Sequence, residues 1–334
     1  MFDRPALVSQ ARDTIARGSK SFAAASHLFD RVTRERVWLL YAWCRACDDI
    51  ADAQDMGGEL GDQSGAAERL ATIRRLTDLA LAGQPTGRAE FDAFALVVQE
   101  CGITRDMADD VIAGFALDAA DWTPRSEADL LRYCFHVAGA VGVMMAVVMG
   151  VAPDDDDTLD RACDLGLAFQ LGNIARDIAE DDRAGRCYLP AEWLAEADIP
   201  PGEQFRPIHR PALVAAVARM CRLAEDYERS ARVGAARLGF RQRWAVLSAA
   251  GIYGAIARKV AAAGPHAWDR RVSTSGKAKL GFVAGALLRA LPGMAPRQAQ
   301  RPALSRRELH ALALADPPRP AAAEIRPGVA SPAE

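Results

Sequence analysis

Residues 170–181 read QLGNIARDIAED and residues 41–52 read YAWCRACDDIAD. Each segment carries a D-x-x-x-D pair, Asp177 with Asp181 and Asp48 with Asp52. Residues four apart on an α-helix project from one face, so the carboxylates of each pair point the same way. The polar stripes run further. Gln170, Asn173, Asp177 and Asp181 fall at i, i+3, i+7 and i+11, and Tyr41, Arg45, Asp48 and Asp52 at i, i+4, i+7 and i+11. Both segments are predicted helices whose polar face stands where a core helix turns apolar residues inward.

Stacked like charges destabilise a helix unless a cation sits between them, and buried unpaired carboxylates cost more still. Hard oxygen donors, with no His pair or thiolate cluster nearby, select Mg²⁺ or Mn²⁺ over zinc. Mg²⁺ takes one or two carboxylates and completes its shell with phosphate and water, so the implied ligand is a diphosphate. One isolated acid pair is more often a solvated helix face. Two pairs, each extended by its own polar stripe, favour the metal.

The rest of the chain agrees with an all-α fold. Half of its 334 residues are hydrophobic, and the periodicity is helical, with no two-residue alternation and no strand-helix-strand rhythm. A net charge of −3 provides no basic field for nucleic acid. Seven cysteines, Cys44, Cys47, Cys101, Cys134, Cys163, Cys187 and Cys221, form an odd, scattered set that reads as reduced thiols. The C-x-x-C at Cys44 and Cys47 lies within a helix and reads as packing. No apolar signal core follows Met1, so a cytoplasmic location is expected.

Residues 133–152, YCFHVAGAVGVMMAVVMGVA, are almost long and apolar enough to span a bilayer. Tyr133 and His136 at the start, the lack of basic flanks and the run of acids after Pro153 favour a central core helix instead. It is the one candidate span found by inspection. Helices are expected near 4–17, 32–54, 65–83, 88–101, 104–119, 126–150, 156–182, 208–238, 242–263 and 275–291. Gly18 to Phe22, GSKSF, reads as a polar loop suited to phosphate. Asp154 to Asp157 read as charges favouring the next helix dipole. Residues 1–291 form the predicted domain. From 292 to 334 the composition turns to proline, alanine and arginine and predicts a flexible tail. Lys277 and Lys279 ahead of an apolar run read as a packed final helix, with contact to anionic lipid as the alternative.

These motifs resemble those of the squalene and phytoene synthases over roughly residues 10–290. The resemblance rests on 41–52, on 170–181 continued through Arg183-Ala-Gly-Arg186-Cys-Tyr188-Leu-Pro190, and on Ser19 to Phe22, Tyr133 to Gly142, Tyr253 and Arg271-Val-Ser273. Gly172 stands where the family often has Thr, and Phe135 where an aromatic hydroxyl is common; neither is a candidate ligand. The resemblance implies an isoprenoid-synthase fold, a single helical bundle whose aspartate helices face each other across a central cavity. It further implies head-to-head condensation of two geranylgeranyl diphosphates, through prephytoene diphosphate, to 15-cis-phytoene in carotenoid biosynthesis.

Roles follow from where charge develops. Asp48, Asp52, Asp177 and Asp181, with Asn173, are the candidate metal ligands. Arg45, Arg176, Arg271, Ser19 and Ser21 are candidates to hold phosphate oxygens, for which the fixed fork of Arg is suited. Phe22, Tyr41, Tyr133 and Tyr253 are candidates to flank the carbocation, with core packing the alternative for each. The resemblance assigns Gln170 to a phosphate or water, and 183–190 to a flap that keeps water out. No NADPH is expected. ATP stimulates some members of the family, but no P-loop occurs here. Squalene or dehydrosqualene synthesis from farnesyl diphosphate, and a non-catalytic protein that sequesters prenyl diphosphate, are the rival readings. A water-insoluble hydrocarbon product leads to an expectation of peripheral contact with the inner membrane and with downstream carotenoid enzymes.

Overall fold

In α9, Asp156–Arg183, the local signals agree with one another. Asp155 caps it by accepting from the Thr158 amide, Asp156 and Asp157 occupy its first turn, and Arg183 its last, charges that complement the helix dipole at both ends. The structure is a computed structural model that describes residues 2–54, 65–294, 299–302 and 304–316. Around α9 stand α1 (Arg4–Gly18), α2 (Lys20–Ser26), α3 (Arg31–Ala51), α4 (Ala66–Leu81), α5 (Ala89–Cys101), α6 (Arg105–Ala119), α7 (Glu127–Cys134) and α8 (Ala140–Val148). After it come α10 (Ala191–Glu196), α11 (Arg210–Ala235), α12 (Phe240–Ala263), α13 (Gly276–Ala290) and α14 (Arg306–Ala315). Among the described residues there is no strand. α9 packs against α8, α11 and α12, while α3 packs against α1, α4 and α5. Trp43 locks the second group, stacking on Phe94 with centroids 4.1 Å apart and donating to the Thr77 hydroxyl at 3.3 Å.

Four expectations change. The helix expected at 126–150 is interrupted by a π-helical segment, Phe135–Gly139, which shifts register where the backbone comes close to α9. A Cβ on Gly166 would lie 2.3 Å from the Ala138 carbonyl oxygen, and one on Gly142 would lie 2.5 Å from that of Ala162. Backbone meets backbone there, so only glycine fits. Next, GSKSF is not a loop: Lys20 begins α2 and Ser19 is its cap, accepting from the Phe22 amide at 3.2 Å. The Ser21 side chain lies outside the described residues.

The third change concerns the tail. Residues 299–302 and 304–316 are packed. Ser305 and Glu308 form a capping box at the start of α14, and Leu309 is fully buried. Arg301 forks onto the two oxygens of buried Asp164 at 2.8 and 2.9 Å, and Arg306 reaches Asp156 and Asp160. The arginines that made this segment look soluble meet acids on α9. Residues 295–298, 303 and 317–334 of the predicted tail lie outside the described residues.

Among the described residues two stretches, not one, are long and apolar enough to cross a bilayer: Glu127–Val148 and Phe240–His266, 72 % and 56 % buried within the bundle. Both wall the cavity described next, and 240–266 was missed because polar residues interrupt its start.

Candidate active site

A cavity of about 880 Å³ runs through the bundle. Along α9 its wall includes Thr158, Ala162, Leu165, Phe169, Asn173 and Asp177, a stripe that extends about 28 Å at helical rise. One end is charged. There Asp48 and Arg45 project from α3, Asp52 from the residue capping α3, Asp118 from α6, Asp177 from α9 and Arg186 from the segment after α9. The remaining wall is largely apolar, with Val141, Met145, Met149, Leu165 and Val246 among its residues, although Thr158 and Arg161 lie at the far end of the α9 stripe.

The expected residues separate into two groups. Asp48, Asp52, Asp177, Tyr41, Arg45, Phe22, Gln170, Asn173 and Tyr253 line the cavity. The rings of Phe22 and Tyr41 pack 5.6 Å apart, and Tyr253 packs on Phe169 at 4.8 Å. Asp181, Ser19, Tyr133, Arg176 and Arg271 are not among the lining residues. Arg176 and Arg271 hold Asp177, by 2.7 and 3.1 Å contacts, and Arg271 also pairs with Glu180. The Ser19 hydroxyl accepts from the Phe22 amide at 3.2 Å. Tyr133, expected to flank the cation, stands outside that lining. It is buried behind the wall, stacked on Tyr188 at 4.7 Å, and donates to Asp118 at 3.1 Å. Its surroundings make it a support for Asp118.

Asp118 and Arg186, at the charged end, were not assigned by the sequence reading. Tyr188 joins Tyr133 on Asp118 at 3.3 Å. Asp118 had a readable signal, because Val111, Gly114, Phe115 and Asp118 lie at i, i+3, i+4 and i+7, which puts an acid on an otherwise apolar face. Arg186 is fixed by its amide, which donates to the Asp181 carbonyl at 2.8 Å, and its positive charge acts on Asp52, Asp118 and Asp181. Arg45 donates to Asp49 at 3.0 Å and stands 3.7 Å from Asp48.

These acids are under-neutralised. Burial pushes Asp48 up to about 7, with Asp52, Asp49 and Asp118 adding to the shift against Arg45. Burial, then Asp177, pushes Asp181 up to about 7, and burial raises Asp118 to about 6 against the pull of Arg186 and Tyr133. Among the described residues no three acid, His or Cys side chains converge tightly enough to hold a metal alone. The donor set fits a hard cation whose shell is completed by phosphate and water, with facing acids whose mutual repulsion such a cation would relieve.

A pH effect follows for the metal-free chain. Because these pKa values lie above those of the unfolded chain, the native state binds more protons between about pH 4 and 7. The corresponding stability is fully present below about pH 4 and is lost as pH rises through about 7. Thermal unfolding in EDTA is expected to show a higher midpoint at pH 6 than at pH 8. A reversed order would refute the repulsion.

The model of the squalene/phytoene synthase family matches residues 15–278, and the chain belongs to that family, whose members process prenyl diphosphates. It is 47 % identical over 296 residues to a phytoene synthase of Pseudescherichia vulneris, covering 88 % of this chain and 94 % of the relative. It is 44 % identical over 303 residues to a 15-cis-phytoene synthase of Pantoea ananas, covering 90 % and 97 %. Among solved structures, a dehydrosqualene synthase superposes with a TM-score of 0.75 at 24 % identity, covering 85 % of this chain and 96 % of that one, a likeness of fold.

Proposed function

We propose that this protein joins two geranylgeranyl diphosphates head to head and converts the product to 15-cis-phytoene, with Mg²⁺ as cofactor. The observation that carries the reading is the cavity itself, a long, largely apolar wall ending in two facing acid groups. The names of the relatives point to the same product.

Asp48 and Asp52 on one side, and Asn173, Asp177 and Asp181 on the other, would hold Mg²⁺. The bound ion supplies positive charge to the diphosphate as its bond to carbon breaks. Arg45 and Arg186 line the charged end and would hold phosphate oxygens, and Arg176 and Arg271 contact Asp177 from outside the lining. Tyr41, Phe22, Phe169 and Tyr253 line the cavity, and aromatic rings there would stabilise an allylic cation without trapping it as a nucleophile would. The apolar wall would keep water from the cation, and the segment carrying Arg186, which lines the charged end, would cover it. The first substrate would lose its diphosphate to give the allylic cation that the second substrate's double bond attacks; the cyclopropylcarbinyl diphosphate so formed would lose its own diphosphate and rearrange, and loss of a proton would give the central double bond, so no reductant is consumed.

The test is incubation of the purified chain with geranylgeranyl diphosphate and Mg²⁺, without NADPH, followed by chromatography of the extracted lipid. Phytoene is the expected product, absent when EDTA is added. Turnover of farnesyl diphosphate in preference would overturn the substrate assignment, and no Mg²⁺-dependent diphosphate release from either substrate would overturn the catalytic reading.

A further inference from the structure

The end of the cavity away from the acids is closed by charge. Small residues, Ala162 on α9, Ala231 and Gly234 on α11 and Ala245 on α12, line it there, and Arg161 and Thr158 stand among them. The Arg161 stem lies against Gly234, where a Cβ would come within 2.6 Å of the Arg161 Cβ and 3.3 Å of its Cδ. Its guanidinium is held on both helices. Nε donates to Asp157 at 3.1 Å, and Nη1 to the Ser230 hydroxyl at 3.1 Å and the Ser230 carbonyl at 3.3 Å. Arg237, in the turn after α11, donates to the Thr158 hydroxyl at 3.0 Å and pairs with Asp157 as well. Arg243 fastens that turn by donating to the carbonyls of Ala236 and Leu238 at 2.7 and 3.0 Å.

An apolar group pushed against a buried, fully partnered charge strips polar contacts and supplies none in return. An apolar side chain at the same place could give way by rotating, whereas Arg161 is tied to α9 and α11 at once. Asn173, at the charged end, and Thr158 lie fifteen positions apart on α9, about 22 Å at helical rise, a reach comparable to an extended geranylgeranyl chain. We propose that Arg161, seated on Gly234, is the stop that the last isoprene unit of a prenyl chain meets, so that this closed end sets the longest diphosphate the enzyme takes. The inference rests on the prenyl-diphosphate reading above and adds the residue that limits chain length. It also gives Asp157 a second role, since besides favouring the α9 dipole it anchors both Arg161 and Arg237.

The test is competition of the full chain's substrates in pairs at equal concentration with Mg²⁺, geranylgeranyl against the longer geranylfarnesyl diphosphate and geranylgeranyl against farnesyl diphosphate, with hydrocarbon products sorted by mass. Wild type is expected to leave geranylfarnesyl diphosphate almost unused. Arg161→Ala removes the stop and should raise the share of geranylfarnesyl chains in product about tenfold; Asp157 keeps Arg237, so its charge is not stranded. α11 runs antiparallel to α9 here, Gly234 meeting Arg161 and Ser230 meeting Asp164, so Ala231 lies one turn nearer the acids. Ala231→Leu therefore shortens the cavity and should shift the second mixture toward farnesyl chains several-fold. General loosening of the fold would not move the two variants in opposite directions. Phytoene from wild type with an unchanged ratio in either folded variant, or ready use of geranylfarnesyl diphosphate by wild type, would overturn the stop and leave the reaction assignment standing. No prenyl coupling by wild type would overturn both. If circular dichroism shows Arg161→Ala unfolded, Ala231→Leu decides alone.

Discussion

Asp48→Asn is expected to lower turnover about a hundredfold, close to 3 kcal/mol at the barrier, with helix content unchanged. The substitution keeps shape and removes charge. Asp48 lies at the charged end of the cavity, where burial and three neighbouring acids already push it up to about 7. A neutral amide there relieves repulsion in the metal-free protein, so its thermal midpoint should not fall. Activity and stability therefore move differently, which an unfolding artefact would not produce. Asp177→Asn should behave alike in rate, but it also leaves Arg176 and Arg271 without their carboxylate, so a small loss of stability is expected there. Steady-state kinetics over a Mg²⁺ series, with circular dichroism on the same samples, makes the comparison. Near-wild-type turnover with unchanged Mg²⁺ dependence would remove Asp48 from the ligand set.

The second large effect lies in the segment that composition alone marks as a tail. Arg301→Ala should cost about 3 kcal/mol of stability, because it strips a bidentate partner from a fully buried carboxylate. Asp164 keeps only the Ser230 hydroxyl of the partners described here, at 2.6 Å, and it can limit the loss by taking up a proton. Adding Asp164→Asn to the Arg301→Ala variant should restore part of the stability, since the buried charge is then gone. Urea denaturation of the two single variants and the double variant closes this cycle. If Arg301→Ala unfolds at the wild-type urea concentration, the segment does not brace α9.

What could be read in advance depended on whether the signal was local. The D-x-x-x-D pairs announce themselves within one helix turn, and the polar stripes of 41–52 and 170–181 fixed the two sides of the site. Helix caps such as Asp155 and the dipole charges beside it are equally local. The corrections are all tertiary. Arg301 looks like a solvated charge until α9 brings Asp164 to it from 137 positions away. Tyr133 looks like a wall residue until Tyr188 stacks on it and both turn to Asp118. The π segment lies where Gly166 and Gly142 let two backbones approach, and spacing along a single helix cannot show which glycine has a neighbour. Asp118 lies between these cases, its apolar stripe visible and its partners hidden.

On the proposed reading, the acids of α3 and α9 grip one metal–diphosphate group at the end of an apolar cavity. The most direct measurement is a crystal structure of the full chain with Mn²⁺ and a non-ionising thiodiphosphate analogue of geranylgeranyl diphosphate, with anomalous scattering used to locate the metal. Metal peaks between Asp48 or Asp52 and Asn173, Asp177 or Asp181, with the prenyl chain lying along the α9 stripe toward Thr158, are the predicted result. Metal bound away from both acid pairs, or a prenyl chain outside the cavity, would contradict the account.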